Sequence, residues 1–244
     1  MSEPAILTVE NVHAGYVPGV DILQGLTVSV RPKAITLVIG PNGAGKSTLL
    51  RTIFGFLKPH MGRVSFGDAD TKAWRPSDFK LAGVSYVPQE INSFPHLTIE
   101  ENLMMGGWVF RRDKARLTRQ LAQVYDTFPA LAGRKTERAV SLSGGQGRML
   151  SVAREMMSEP KLLLVDEPTV GLAPNLVAQV YEILMTARKA TGAAILLVEQ
   201  NVEEALPLAD YLYMLNLGTV KAEGPGAEFD DARVRALVQE CLLG

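Results

Sequence analysis

Five apolar residues in a row, Ile35–Ile39 (ITLVI), run straight into Gly40-Pro41-Asn42-Gly43-Ala44-Gly45-Lys46-Ser47-Thr48. No other stretch constrains the fold as much. A strand before the turn and a helical run (TLLRTIF) after it give G-x-x-x-x-G-K-[ST] the context it requires. Glycines let consecutive backbone N–H groups curl inward around an anion without Cβ clashes. The following helix adds its positive end. Lys46 brings an ammonium to the β- and γ-phosphates, and Ser47 brings a hydroxyl suited to Mg²⁺. The loop Gly40–Thr48 reads as a nucleoside triphosphate site.

Further along, Leu162–Val165 (LLLV) and Ala193–Val198 (AAILLV) are also nearly unbroken apolar runs. Strands covered by helices on both faces look like this. Between them, Leu176, Val180, Ile183, Leu184 and Ala187 share one face of a helix over Asn175–Ala190. Pro174 suits its first turn and Gly192 its end. The order strand–helix–strand makes a βαβ unit and the chain α/β. Leu26–Val30 and Val64–Phe66 alternate instead, which predicts an antiparallel sheet with one face exposed. From about Thr98 to Met157 the periodicity is helical, predicting an insertion with its own small core. The cluster Arg111–Arg119 reads as a solvated helix face. Asn216-Leu217-Gly218 reads as a turn between two late strands.

Asp166-Glu167 follow LLLV directly, at the carboxyl end of a buried strand, where ligands of open α/β sheets bind. Asp166 is assigned to Mg²⁺ and Glu167 to the attacking water. A helix cap is the competing explanation for an acidic pair alone; the phosphate loop upstream favours the catalytic one. Leu142-Ser143-Gly144-Gly145-Gln146 is a second glycine turn, ahead of a helix that Pro160 stops. Ser143 suits an N-cap, and the turn also makes a second anion site at a helix N-terminus. One triphosphate does not need two such sites in one chain. A head-to-tail dimer accounts for both.

Composition removes other classes. Among 244 residues, 25 Lys+Arg against 26 Asp+Glu leave a net charge of −1, so there is no footprint for nucleic acid. Cys241 is the single cysteine, which excludes an intrachain disulfide and Cys-based metal sites and fits a reducing compartment; it reads as a small apolar residue. No secretory signal and no membrane span are evident. His13, His60 and His96 lack metal-ligand spacing, and the nine methionines read as core filling.

LSGGQ about a hundred residues after the phosphate loop, and shortly before LLLVDEP, resembles the signature of ABC-type ATPase domains over nearly the whole chain. The resemblance implies a P-loop NTPase (RecA-like) core with a mainly parallel sheet, an N-terminal antiparallel β subdomain and an α-helical subdomain. In that scheme residues 1–244 form one domain, with the core and β subdomain at about 1–92 and 158–244 and the helical part, signature included, at about 93–157. It also implies MgATP between two ATPase subunits, whose closure drives permease subunits from the cytoplasmic face of the inner membrane. Tyr16 matches the aromatic residue that stacks on adenine; a core tyrosine is the alternative. Gln89 in YVPQ matches the glutamine that reaches Mg²⁺ and the water. Ser143, Gly144, Gly145 and Gln146 match the signature that meets the γ-phosphate in trans.

Within the family, SFPHLTIEENLMMG, PKLLLVDEPTVGLAP and LLVEQNVEEAL resemble the ATPases of branched-chain amino acid importers and their amide or urea relatives. That group works with a periplasmic solute-binding protein and two permeases, and its ATPase pairs with a copy or a sister. Two positions depart from the general family pattern. Gln200 stands where a histidine usually contacts the γ-phosphate; it donates an amide hydrogen bond but cannot become cationic. Ala173 stands where an aspartate usually links the two sites. Slow hydrolysis by the isolated chain is expected from Gln200 and the need for a partner. Phe94–Leu97, after Gln89, is favoured as the permease contact over Trp74 and Trp108. The competing class is a soluble ABC protein acting on ribosomes or DNA, which usually fuses two domains or inserts a coiled coil.

Overall fold

Side-chain alternation sets the first element, β1 (Leu7–Ala14), and its antiparallel neighbour β2 (Leu23–Val30), each with one buried face. Residues 3–243 are described in this computed structural model; the side chains of residues 175, 231 and 241–243, Cys241 among them, lie outside the description. Next come β3 (Ile35–Ile39) and α1 (Lys46–Ile53), then β4 (Met61–Phe66), β5 (Ala69–Asp70), α2 (Pro76–Ala82) and β6 (Val84–Val87). A strand-free stretch holds α3 (Ile99–Gly106), α4 (Lys114–Thr127), α5 (Pro129–Ala132) and α6 (Gly144–Met156). The chain then runs through β7 (Leu162–Asp166), α7 (Pro174–Thr191), β8 (Ala194–Val198), α8 (Val202–Ala205), β9 (Tyr211–Asn216), β10 (Thr219–Pro225) and α9 (Asp231–Leu243).

Two sheets result. One is antiparallel in the order β2-β1-β4-β5; the other has six strands in the order β10-β9-β3-β8-β7-β6. Only β10 runs antiparallel in the larger sheet. Its middle strands are apolar throughout because both faces are covered. Ile35, Leu37 and Ile39 face the helices with Leu163, Val165, Ile195 and Leu197. Val38 faces the antiparallel sheet and α1 with Leu162, Leu164, Leu196 and Val198. Burial on both sides thus replaces the usual alternation.

The expected helix after Pro174 ends where predicted, at Gly192, which takes a left-handed φ of 68°. The turn at Leu217-Gly218 joins β9 to β10, both residues having positive φ as a two-residue hairpin requires. One expectation fails. The helical stretch has no core of its own: Leu103, Leu117, Val124, Phe128 and Leu131 belong to the same cluster as Ile35 and Leu163. Its helices are too short to bury their apolar faces on one another alone, so they share the sheet's. Within the run Arg111–Arg119, Arg116 lies over the Phe110 ring and donates to Glu159, as a surface helix face would.

Candidate functional site

The phosphate loop joins the end of β3 to α1, and its geometry depends on glycine at Gly45. Gly45 has a φ of 101°, and a Cβ there would stand 2.9 Å from Leu23. The conformation is open only to a residue without a side chain. Lys46 is 4% exposed. Its ammonium donates to the carbonyls of Gly40 at 2.9 Å and Pro41 at 3.3 Å, and stands 3.3 Å from Glu167 Oε1. Ser47, one residue on, donates its hydroxyl to Asp166 Oδ1 at 2.9 Å.

Strand β7 delivers Asp166 and Glu167 to this loop. Tyr86, on neighbouring β6, donates its hydroxyl to Asp166 Oδ2 at 2.8 Å. Burial pushes the Asp166 carboxyl above the ordinary aspartate range, against the pull of the Tyr86 and Ser47 hydroxyls. Glu167 has a φ of 41°, an uncommon value for a residue with a side chain. Its amide is pinned to the Val198 carbonyl at 2.9 Å, and Gln200 donates its side-chain amide to Glu167 Oε2 at 2.7 Å. Lys46, Ser47, Asp166, Glu167 and Gln200 therefore form one connected set at the carboxyl end of the parallel strands.

Other expected residues lie apart from that set. Tyr16 is 51% exposed and accepts a hydrogen bond from Arg51 at 3.1 Å, with the guanidinium 5.9 Å from the ring centre. Gln89 sits exposed just past β6, and among the described residues its side chain makes no hydrogen bond. Ser143–Gln146 lie at the start of α6. No hydrogen bond among the described residues joins them to the phosphate loop or the acidic pair. Ser143 is the N-cap, and Gln146 closes a capping box by accepting from the Ser143 amide at 3.1 Å. Arg134 also donates to Gln146 at 2.7 Å. Ala173 caps α7 and carries no polar group.

Three partners have no signal in the spacing of the motifs. Tyr86 looks like any strand residue, Arg134 precedes the signature by several turns of loop, and Glu199 reads as the neighbour of Gln200. Glu199 is fully buried. Thr169 donates to its Oε1 at 2.7 Å and the Gln200 amide to its Oε2 at 2.9 Å, so it fixes the turn that aims Gln200. His13 and His60 meet across Asp21, at 3.2 and 3.5 Å. No group of three His, Cys, Asp or Glu among the described residues is placed to hold a metal ion.

This arrangement has known counterparts. The ABC transporter family profile matches residues 23–170, from β2 past the acidic pair. The chain belongs to the ABC transporter family. The branched-chain amino acid transport ATP-binding protein BraG of Pseudomonas aeruginosa is 39% identical to this ABC ATPase over 87% of the chain and 90% of its own length. LivF of Archaeoglobus fulgidus, a probable branched-chain amino acid transport ATP-binding protein, is 34% identical over 91% of the chain and 93% of its own length. The crystal structure of an ATP-binding cassette in its ADP conformation superposes with a TM-score of 0.84 at 29% identity, covering 99% of both chains. The ABC ATPase fold, with a mainly parallel sheet, an antiparallel β part and helices, is thereby shown. The chain is the ATP-binding subunit of an ABC importer, an ATPase that serves permease subunits. No helix among the described residues is long and apolar enough to cross a membrane itself.

Proposed function

We propose that this subunit hydrolyses MgATP between itself and a second ATP-binding subunit, at the cytoplasmic face of the inner membrane. The transported solutes are branched-chain amino acids or related amides, delivered by a periplasmic binding protein. The observation that carries the reading is the set of contacts joining Lys46 and Ser47 to Asp166, Glu167 and Gln200. The solute assignment is supported by the relatives BraG and LivF.

In this scheme the backbone N–H groups of Gly40–Thr48 cradle the triphosphate and Tyr16 stacks on the base. Lys46 exchanges its contacts with the Gly40 and Pro41 carbonyls for phosphate oxygens. The donors present fit Mg²⁺: a hydroxyl and a carboxylate 2.9 Å apart suit an ion that keeps waters and phosphates as its other ligands. Ser47 and Asp166 would hold it, with Gln89 reaching in from the end of β6. Bound Mg²⁺ neutralises charge on the β- and γ-phosphates. Tyr86 holds Asp166 in its orientation. Glu167 accepts a hydrogen bond from the attacking water, which displaces ADP from the γ-phosphorus and leaves inorganic phosphate. Gln200 steers Glu167 and donates to the γ-phosphate.

The trans half of the site is Ser143–Gln146 of the second subunit, its open helix end facing the γ-phosphate. The helical part, about residues 93–157, carries that turn, and the rest, about 1–92 and 158–244, carries the phosphate loop. Phe94–Leu97, with Phe94 exposed, and the neighbouring exposed Ile91 give the permease an apolar surface beside the glutamine loop. Opening and closing of the pair is the motion that the permease reads. ATPase assays of wild type beside Glu167→Gln test the chemistry. Turnover should fall by about a hundredfold or more with ATP binding retained; an undiminished rate would refute the assignment. Uptake of labelled leucine, isoleucine and valine by cells lacking the chain tests the solute class: loss is expected, and unchanged uptake of all three would move it elsewhere.

A further inference from the structure

Arg148 is a buried cation that the scheme above does not use. It lies one turn into α6, directly behind the signature turn, and is 3% exposed. Its Nη1 donates to the Pro88 carbonyl at 3.0 Å and its Nη2 to the Gln89 carbonyl at 2.6 Å, while Nε has no partner among the described residues. Among the described residues no carboxylate bonds to it directly. Burial disfavours its charge, and the nearby buried Glu199 offsets that only in part. Holding a guanidinium in the interior on two carbonyls is costly, and those two hydrogen bonds fix the loop backbone in return.

Neighbouring residues of α6 grip the same segment. A Cβ on Gly147 would come within 3.1 Å of Ile91, so this glycine lets the loop lie against the helix. Ser151 accepts from the Asn92 amide at 3.1 Å and donates to the Gly147 carbonyl at 3.0 Å. Positions 88, 89, 91 and 92 are therefore all fastened to one face of α6. The Gln89 side chain is exposed and makes no hydrogen bond among the described residues, so it projects from that clasp.

We propose that Arg148 is a positioning residue for ATP hydrolysis: through the carbonyls at 88 and 89 it ties the glutamine loop to the signature helix, so that Gln89 is set as the signature engages a partner's nucleotide. The inference rests on the roles given above to Gln89 and the signature turn. A helix pulled at its N-terminus by nucleotide moves the loop with it, because four backbone or side-chain contacts along that face transmit the shift. Glu199, which in part favours the charge of Arg148, also accepts from the amide of Gln200.

The test measures kcat, KM for ATP and half-saturating Mg²⁺ for the full chain carrying Arg148→Met, Arg148→Lys, Gln89→Ala or the Met/Ala pair. Loss of an outer partner of a metal-reaching residue typically costs tenfold or more, so Arg148→Met should lower kcat roughly tenfold and raise the Mg²⁺ requirement. KM for ATP should stay within about twofold, because the phosphate loop is untouched. Arg148→Lys, which keeps the charge, should be rescued in part. Adding Arg148→Met to Gln89→Ala should cost nothing more, as residues that act as one unit are non-additive. Wild-type kcat in Arg148→Met, or additive losses in the pair, would overturn the inference. Should Arg148→Met not fold, Arg148→Lys and Ser151→Ala carry the same test, with smaller losses in kcat at constant KM and wild-type values overturning the inference. Glu167→Gln run in parallel separates the two levels: its retained turnover would remove the underlying site, whereas its loss beside a normal Arg148→Met removes this inference alone.

Discussion

The two glycine turns of this chain obey the same helix-end physics and are wired in opposite ways. Around Gly40–Thr48, side chains from β6, β7 and the end of β8 converge: Tyr86, Asp166, Glu167 and Gln200 all connect to Lys46 or Ser47 directly or through one another. Around Ser143–Gln146, the polar side chains serve only the turn itself, through the Ser143 cap, the Gln146 box and Arg134. In the proposed scheme the first turn is half of a reaction centre built within one subunit. The second is an exposed, capped helix end, which in the proposed scheme serves another molecule. Chemistry needs several groups fixed to within an ångström, so it is assembled where strand ends meet. Recognition across an interface needs only a stiff, open edge.

The sharpest way to break this contrast is Gly144→Asp. A Cβ at Gly144 meets nothing within 4 Å, and an acidic side chain suits the first turn of a helix, so the subunit should fold and melt as wild type. Its carboxylate would face a partner's phosphates. ATP turnover should drop roughly a hundredfold while nucleotide binding by the single subunit is unchanged; normal turnover would mean that this turn never meets nucleotide. Gln200→Ala probes the other turn. It removes the hydrogen bond that steers Glu167, and a bond to a charged group of about 1.5–3 kcal/mol predicts a rate loss of about tenfold or more. A rate equal to wild type would leave Glu167 held by Lys46 and its backbone alone.

The smallest expected effect is in pH. Burial raises the Asp166 pKa, so folding without ligand favours its neutral form relative to the unfolded chain. That contribution to stability is fully present below the unfolded pKa and is lost as pH rises through the folded one. If Asp166 holds Mg²⁺ as proposed, MgATP binding needs its ionised form, and affinity should weaken as pH falls through the raised value, starting above the ordinary aspartate range. Titrating MgATP binding to Glu167→Gln against pH, beside an added Asp166→Asn, checks this. A pH profile unchanged by Asp166→Asn would place the titration elsewhere.

The comparison also marks what could be read from the residues. Ile35–Ile39, LLLV and AAILLV announced the buried parallel strands because double-sided burial removes alternation, and the loop Gly40–Thr48 announced itself because few residue types tolerate its backbone. The helical stretch was legible as helices but not as part of the shared core, since periodicity tells which face is buried and not against what. Tyr86, Arg134, Arg148 and Glu199 were not legible. Each is joined to its partner by the fold rather than by spacing: Arg148 lies about sixty residues from Gln89, and Tyr86 eighty from Asp166. Short four-residue β6 gave too little pattern to show as a strand.

The central claim, that one subunit's serine–glycine turn completes another's triphosphate site, is tested most directly by the mass of Glu167→Gln in solution with and without MgATP, alone and mixed with any second ATPase subunit encoded beside it. The account predicts a 26.5 kDa species that pairs to about twice that mass when ATP is added and returns on its removal. A chain that stays at 26.5 kDa in saturating MgATP under both conditions would contradict it.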